Sequence, residues 1–331
     1  MKKFDVITIG GATEDITFYT TEGVLINNKK DLTRQRLLAF EFGAKIKIDK
    51  AFSNFGGGAA NAAVSFSRLG FSSACLIAIG QDSRGERVIK NLKSQDVDTN
   101  LAQKVRAVET GFSLLLVGPG NEHIVFSNRA ANNKLKINNE NLKILRQAKW
   151  LYLTSLSGNW QQVLTKIFSI NSVQIAWNPG HRQILTGLGN LAKYLIKTTV
   201  LVVNKDEAIE LVISDKKYRN RPRRFFSKIK NLLLLLKNYG IKIVVITDGK
   251  NGAQAYDGKK FYQQPAVKER KRADTTGVGD AFGSSFVAGL QLYRSNIKKA
   301  MKLGAINTAS VISQPGAQNG LLTRRQIINK I

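Results

Sequence analysis

Residues Ala273 to Leu290 read ADTTGVGDAFGSSFVAGL. The stretch opens with acid and hydroxyl residues and passes through Gly277 and Gly279. From Asp280 it runs into small and apolar residues, with Phe282, Phe286, Val287 and Leu290 recurring at helical spacing. The pattern predicts a loop feeding a helix. Glycines at such a junction let the backbone turn its N–H groups outward, and those donors, with the positive end of the helix dipole, attract an anion. Asp280 then stands where a phosphate would sit. One task that suits a carboxylate there is to accept the proton of a hydroxyl that attacks phosphorus. The plainer alternative is a helix opened by an acidic residue after a flexible loop. Two common glycine patterns do not fit. A dinucleotide fingerprint needs its third glycine three residues after the second, whereas Gly283 follows Gly279 by four, and the Gly-Lys-Ser/Thr of a P-loop is absent.

Working outward, D-T-T-G-V-G-D-A-F resembles the C-terminal signature of the ribokinase-like, or PfkB, carbohydrate kinases, usually written D-T-T-G-A-G-D, with Val278 in place of the usual Ala. Upstream, Phe55 to Gly70 reads FGGGAANAAVSFSRLG, three glycines followed by a small-residue helix, which permits close backbone approach to a ligand or tight helix-to-sheet packing. Gly57, Gly58 and Asn61 resemble the N-terminal PfkB signature, in which glycine amides and the Asn hold the sugar. The Lys that ribokinases carry at the third glycine is Gly58 here, and the Glu they place after the strand Leu151–Thr154 is missing from TSLSGN. Both departures speak against ribose.

Further landmarks follow in family order. Gly80 to Gly85 is a turn of the G-x-D-x-x-G kind leading into a helix predicted over Glu86 to Lys93, and Arg129-Ala130-Ala131-Asn132 is similar to the family's G-A-N, which implies that Asn132 reaches substrate. Asn204 and Glu207 open the helix DEAIELVI and match N-x-x-E, whose Glu organises Mg²⁺, usually through water, while its Asn reaches the phosphates. Read alone, this is a polar first helical turn favoured by the dipole. The turn Thr247 to Gly252 has glycines that allow close approach, and the resemblance implies that Thr247, Gly249 and Gly252 hold the nucleotide. By the same resemblance Asn307 lies beside the adenine. The closing turn Gln314 to Ala317, with Asp274 and Thr276, would hold a monovalent cation, K⁺.

The chain has 331 residues and 43% apolar content, enough for a sizeable core. Its 51 Lys and Arg against 23 Asp and Glu give a net charge of +28. Such a charge suits nucleic acid or another anionic partner, but the basic residues are spread along the chain, with local clusters only at Arg219–Arg224 and Lys268–Arg272. A diffuse anion-attracting surface is the expectation, with no specific nucleic acid and no membrane partner. The single Cys75 sits in an apolar strand and fits a reducing compartment, so a cytoplasmic location is expected. The aliphatic block Leu232–Leu236 is far too short to cross a bilayer. Neither His123 nor His181 has a partner at metal-ligand spacing.

Phe4–Ile9, Cys75–Ile79, Leu151–Thr154, Val173–Ala176, Val200–Val203 and Ile241–Ile246 are short apolar runs separated by helix-length segments, the β-α-β alternation of a parallel sheet. Between Ile16 and Asp49 the pieces ITFYT, GVLIN and AKIKID alternate instead, as exposed antiparallel strands do, and Gly111–Val117 with Glu122–Ser127 reads as a hairpin split at Gly118-Pro119-Gly120. Asp15 lies past the first strand, where doubly wound sheets bind ligands. It is a candidate for substrate hydroxyls or a solvated turn residue.

The fold expected is therefore α/β, a ribokinase-like three-layer α/β/α with a mostly parallel central sheet and a small β lid. One domain covers residues 1–331, with lid insertions at about 17–50 and 108–128. The resemblance implies an ATP-dependent, Mg²⁺-assisted sugar kinase. Asp280 is its general base, and Gly277, Val278 and Gly279 form its anion hole. Asp15, Gly57, Gly58, Asn61 and Asn132 lie on the acceptor, and a homodimer through the lid is possible. A nucleoside (adenosine-type) kinase of the same fold is the alternative, for which Phe18 and Tyr19 would supply a base slot. A basic nucleic-acid-binding protein that keeps the fold is a remote one.

Overall fold

A computed structural model describes residues 4–27, 36–118, 123–269, 272–328 and 330–331. The strands are β1 (Val6–Ile9), β2 (Thr13–Tyr19), β3 (Val24–Asn27), β4 (Arg36–Ala39), β5 (Lys50–Gly56), β6 (Ser73–Leu76), β7 (Ala78–Gly80), β8 (Gln103–Val105), β9 (Phe112–Val117), β10 (His123–Asn128), β11 (Trp150–Leu153), β12 (Gln174–Trp177), β13 (Val200–Asn204), β14 (Ile243–Thr247), β15 (Ala253–Tyr256) and β16 (Phe261–Gln264). The α-helices are α1 (Gly58–Arg68), α2 (Ser83–Ser94), α3 (Asn139–Leu145), α4 (Trp160–Ile167), α5 (His181–Ile184), α6 (Gly187–Leu195), α7 (Lys205–Ser214), α8 (Arg223–Phe226), α9 (Ile229–Lys237), α10 (Val278–Leu292), α11 (Ile297–Ile312) and α12 (Arg324–Ile328).

Eight strands make the central sheet in the order β16-β15-β14-β13-β12-β11-β1-β6. From β6 to β14 all neighbours are parallel, and only β15 and β16 turn back antiparallel. Strands such as β1 (VITI) and β11 (WLYL) are buried along their whole length, because parallel strands are covered on both faces and so read as unbroken apolar runs. Alternate residues of one strand feed two separate cores. Leu151 and Leu153 of β11 join the core that includes Trp177, Leu201 and Leu233, while Trp150 and Tyr152 face Phe66, Phe282 and Phe286 of α1 and α10 on the other side. That is a three-layer α/β/α arrangement.

A second sheet, β10-β9-β2-β5, stands over the carboxyl end of β1, and a separate hairpin pairs β3 with β4. Three residues connect β1 to β2, so Asp15 belongs to a lid strand rather than to a loop, opposite Asn54 of β5 and Ser113 of β9. The lid is fastened at its base. Glu14, almost fully buried, accepts from Arg87 Nε and Nη2 of α2 at 2.9 and 2.8 Å and from Ser53 Oγ at 2.9 Å.

Three local expectations are corrected. Ala44–Asp49 is not a strand, and pairing begins at Lys50, because alternating Lys and Ile mark a half-exposed extended segment without specifying a partner. The run Cys75–Ile79 divides into β6 and β7 at Ile77. The helix after the G-x-D-x-x-G turn starts at Ser83, since Asp82 caps it by accepting from Gly85 N. The hairpin turn at Pro119-Gly120 lies outside the described residues, as do residues 270–271 of the basic cluster.

Candidate active site

The first turn of α10 is set by Gly277, which has φ 74° and ψ 6°. A Cβ there would lie 2.4 Å from that of Ala317, so both conformation and space demand glycine. A Cβ on Gly279 would meet nothing within 4 Å, so this turn opens onto free space. Asp280 follows, half-buried, and its Oδ2 accepts from Asn61 Nδ2 of α1 at 2.8 Å. Asn61 cannot turn over freely, because its own Oδ1 accepts from Gln318 Nε2 at 3.0 Å. The two signature segments are thereby joined, and Ser284 Oγ donating to Ser65 Oγ at 2.8 Å ties them a second time.

Burial, reinforced by the charge of Asp15, pushes the Asp280 carboxyl above its ordinary value, against the lowering effect of the Asn61 bond. Asp15 is also raised, again mainly by burial, with the bond from Thr13 Oγ1 at 2.9 Å and one from Ser113 opposing it and the charge of Asp274 adding to it. Two carboxylates raised by burial thus belong to the site, Asp15 from the lid and Asp280 from the helix, and the charge of Asp15 is felt at Asp280. Electrostatics of that sign favours a ligand that brings hydroxyl donors and a proton to give up.

Gly58 lies against Asp280 and Thr154, the residue that follows β11. A Cβ there would come within 2.9 Å of Thr154 Cβ and 3.1 Å of Asp280 Oδ1, so a long side chain would enter the reaction centre itself. Gly57, at φ 89°, is pressed against Gly11 and Ala12, where a Cβ would lie 2.5 Å from Ala12 Cα. Tyr152 passes beneath α10. Its hydroxyl, fully buried and without a hydrogen-bond partner among the described residues, would be 2.2 Å from a Cβ on Gly283, and its pKa is raised first by burial and then by the charge of Asp280.

Two expected contact residues are placed otherwise. Asn132 spends its amide on the backbone of Ala12, accepting from Ala12 N and donating to Ala12 O, both at 3.0 Å. It braces the β1–β2 junction. Asn307 is fully buried, donating to Ser285 Oγ at 2.7 Å and accepting from Leu322 N at 2.9 Å, so it ties α11 to α10 and to the C-terminal segment rather than facing an opening.

Asn204 ends β13 opposite Thr247 of β14, which sets the N-x-x-E segment beside the Thr247–Gly252 turn at the carboxyl edge of the sheet. Asn204 Oδ1 accepts from Glu207 N at 2.9 Å, and Glu207 Oε2 accepts from Asn204 N at 2.8 Å, a reciprocal capping box. Burial, then Glu210 and Asp206, raise the Glu207 carboxyl in spite of the Asn204 N–H. Lys205 Nζ pairs with Asp248 at 3.3 Å across the two segments. In the turn, Gly249 has φ 49° and Gly252 φ 85°. Asp274 closes the loop before α10, accepting from Thr276 N and Oγ1 at 2.9 and 2.8 Å and from Gly316 N at 2.9 Å. Among the described residues no three His, Cys, Asp or Glu side chains converge as a metal cage. Thr13, Thr154, Tyr152 and Gln318 carry no local sequence signal and come to the site only through the fold.

The pfkB family carbohydrate kinase model matches residues 31–324. The chain belongs to that family. It is accordingly a phosphotransferase with a hydroxyl acceptor, of the sugar and nucleoside kinase group. Over 332 aligned positions the kinase is 25% identical to the ATP-dependent 6-phosphofructokinase of Thermoanaerobacterium thermosaccharolyticum, covering 96% of this chain and 90% of that one. In fold it is similar to Arabidopsis thaliana ribokinase complexed with ribose and ATP, with TM-score 0.82 at 18% identity over 99% of this chain and 98% of the other. The Methanocaldococcus jannaschii nucleoside kinase has TM-score 0.76 and 21% identity over 100% and 99% of the two chains. No helix among the described residues is long and apolar enough to cross a membrane.

Proposed function

We propose that this chain transfers the γ-phosphoryl group of ATP to a hydroxyl of a small unphosphorylated sugar, with Asp280 as general base. The observation that carries the reading is the carboxylate of Asp280, anchored by Asn61 at the open N-terminus of α10 and faced by Asp15 from the lid. In this reading Asp15, with the backbone of Gly57 and Gly58, holds acceptor hydroxyls, while Asn61 aims the base. Asp280 takes the proton of the attacking hydroxyl, and the first amides of α10, from Gly277, Val278 and Gly279, stabilise charge on the transferring group. Lid closure over the crevice excludes water as a competing acceptor.

In this reading Asn204, Thr247, Gly249 and Gly252 meet the nucleotide. Glu207, crowded by acids and raised in pKa, suits a divalent cation carrying its own water shell, which when bound neutralises charge between the nucleotide phosphates. Asp274 and Thr276 close a loop suited to a monovalent cation. Asn132 and Asn307 act as braces. The whole chain works as one catalytic domain in the cytoplasm, where ATP is supplied, and its diffuse basic surface has no specific nucleic-acid partner. The exposed apolar residues Val24, Leu25, Ile26 and Leu37 on the lid hairpin support a homodimer through the lid.

Gly58 in place of the ribokinase Lys, and TSLSGN without the ribokinase Glu, support an acceptor other than ribose. The cations at the lid base, Arg84 and Arg87, are engaged with Glu14, which favours an acceptor without its own phosphate. One observation favours a nucleoside instead. Thr17, Phe52, Leu115 and Val125 form a row on the Asp15 face of the lid, with Phe52 44% and Val125 50% exposed, an apolar strip on which a base can lie. Tyr19, by contrast, packs edge-on against Phe52. An ATP-consumption screen over free hexoses, pentoses, sugar phosphates, sugar acids and nucleosides, with Mg²⁺ and K⁺ present, decides between them. A free sugar as best acceptor is expected, and a nucleoside clearly ahead would replace it.

A further inference from the structure

The candidate active site occupies the carboxyl ends of the central strands. The opposite end of the sheet holds a separate cavity of about 590 Å³, lined by Asp5 before β1, by Lys149 and Trp150 at the start of β11, and by Gln291, Arg294 and Arg324 from α10, the turn after it and α12. We propose that this cavity binds a phosphate-type dianion, either inorganic phosphate or the phosphate group of a small ester.

Charge is the first argument. Among the described residues Asp5 is the only carboxylate that lines the cavity, and it is already paired with Lys149 Nζ at 2.8 Å while accepting from Ser72 N at 2.9 Å. Neither Arg294 nor Arg324 has a carboxylate within salt-bridge distance among the described residues. Two guanidinium charges are therefore left uncompensated, which matches a dianion, and their planar donor forks suit phosphate oxygens.

The second argument is an unmet donor. Gln291, which lines the cavity, has its Nε2 shut off from solvent with no hydrogen-bond partner among the described residues. A buried donor without an acceptor is costly, and an anion in the cavity supplies one once the amide turns toward it. The third is the backbone. A cation just past a helix C-terminus is ordinary, since it meets the negative end of the dipole. Here, however, Arg294 and Ser295 are consecutive non-glycine residues at φ 48° and 64°, a turn for which glycine is the cheaper choice. The chain keeps a side chain at 294 at a conformational cost, and that side chain is a guanidinium at the mouth of the cavity.

The test uses the full chain labelled with ¹⁵N, following the Trp150 indole and Gln291 side-chain resonances. Inorganic phosphate and glycerol phosphate are titrated separately at an ionic strength held constant with chloride. Both resonances should move along a saturating curve. Similar midpoints for the two probes assign the site to the free ion, and a lower midpoint for glycerol phosphate assigns it to an ester. The Arg294→Gln/Arg324→Gln double variant should weaken binding by about tenfold or more per guanidinium, the weight of a charge-assisted hydrogen bond. Both side chains are exposed, so the fold should survive, and Arg294→Gln alone should give the single tenfold loss. Resonances that stay still, that respond equally to chloride, or that shift with unchanged midpoint in the variants would overturn the proposal.

Discussion

Replacing Asp280 by Asn keeps the side chain's shape and exchanges one oxygen for an amide nitrogen. Asn61 donates to Oδ2 at 2.8 Å and is itself pinned by Gln318, so the new amide must turn its oxygen toward Asn61. Its NH₂ then points at the acceptor, a donor where the reaction needs a base. The expected loss in kcat is about 10²- to 10⁴-fold, or roughly 3 to 5.5 kcal/mol of barrier. Nucleotide affinity should change little, because the first amides of α10 are untouched.

A second consequence has the opposite sign. Burial raises the Asp280 carboxyl in the folded chain above its ordinary value of 3.8, so the native state holds that proton more tightly than the unfolded one. The ionised carboxylate thus costs stability, a cost that sets in as pH rises from 3.8 through the folded pKa and persists at neutral pH. The Asn variant escapes it and should melt higher than wild type at pH 7, while wild-type kcat/KM falls as pH drops through the same raised pKa. Coupled ATP consumption, calorimetric nucleotide binding and a melting scan measure the three quantities. Near-normal turnover would refute the base, and a lower melting temperature would refute the reading of its environment.

Gly58→Ala puts a methyl group 2.9 Å from Thr154 Cβ and 3.1 Å from Asp280 Oδ1, so acceptor kcat/KM should fall by about 10²-fold, with Thr154→Gly restoring much of it in steady-state kinetics. Glu14 is held below its ordinary value chiefly by the Arg87 hydrogen bond, so the stability it lends is complete above pH 4.5 and is lost as pH falls through its folded pKa. Glu14→Gln should remove that acid-side decline from the melting profile. Burial pushes the Cys75 thiol up to about 12, so native protein should not react with a thiol reagent at pH 8, whereas unfolded protein should react with one equivalent. If the lid hairpin joins two copies, Leu25→Lys should halve the mass seen by light scattering and leave the melting temperature nearly unchanged.

Much of this architecture is written locally. Gly277 is demanded by a left-handed φ and by the Cβ of Ala317, and the sheet strands announce themselves because burial on both faces leaves no polar alternation. The site is less legible. Asn132 and Asn307 look like ligand-facing amides by position, yet each is used up by partners far along the chain, the Ala12 backbone in one case and Leu322 with Ser285 in the other. No periodicity can report that. Thr154 and Gln318 are silent for the same reason, since what matters about them is the residue they meet. Ala44–Asp49 misleads in the other direction: an alternating pattern specifies a face without guaranteeing a neighbour to pair with.

The bond between Asn61 and Asp280 spans 219 residues, and this separation governs how the protein is made. A growing chain can lay down β1, the lid and the early strands as they leave the ribosome, and those pieces can begin to pack on one another. The helix that carries Asp280 comes after β16, behind the strands of both sheets. On the proposed mechanism, an arrested product that stops before α10 would hold the acceptor-side residues without their base and would not turn over ATP, so competence would arrive only once α10 has been made.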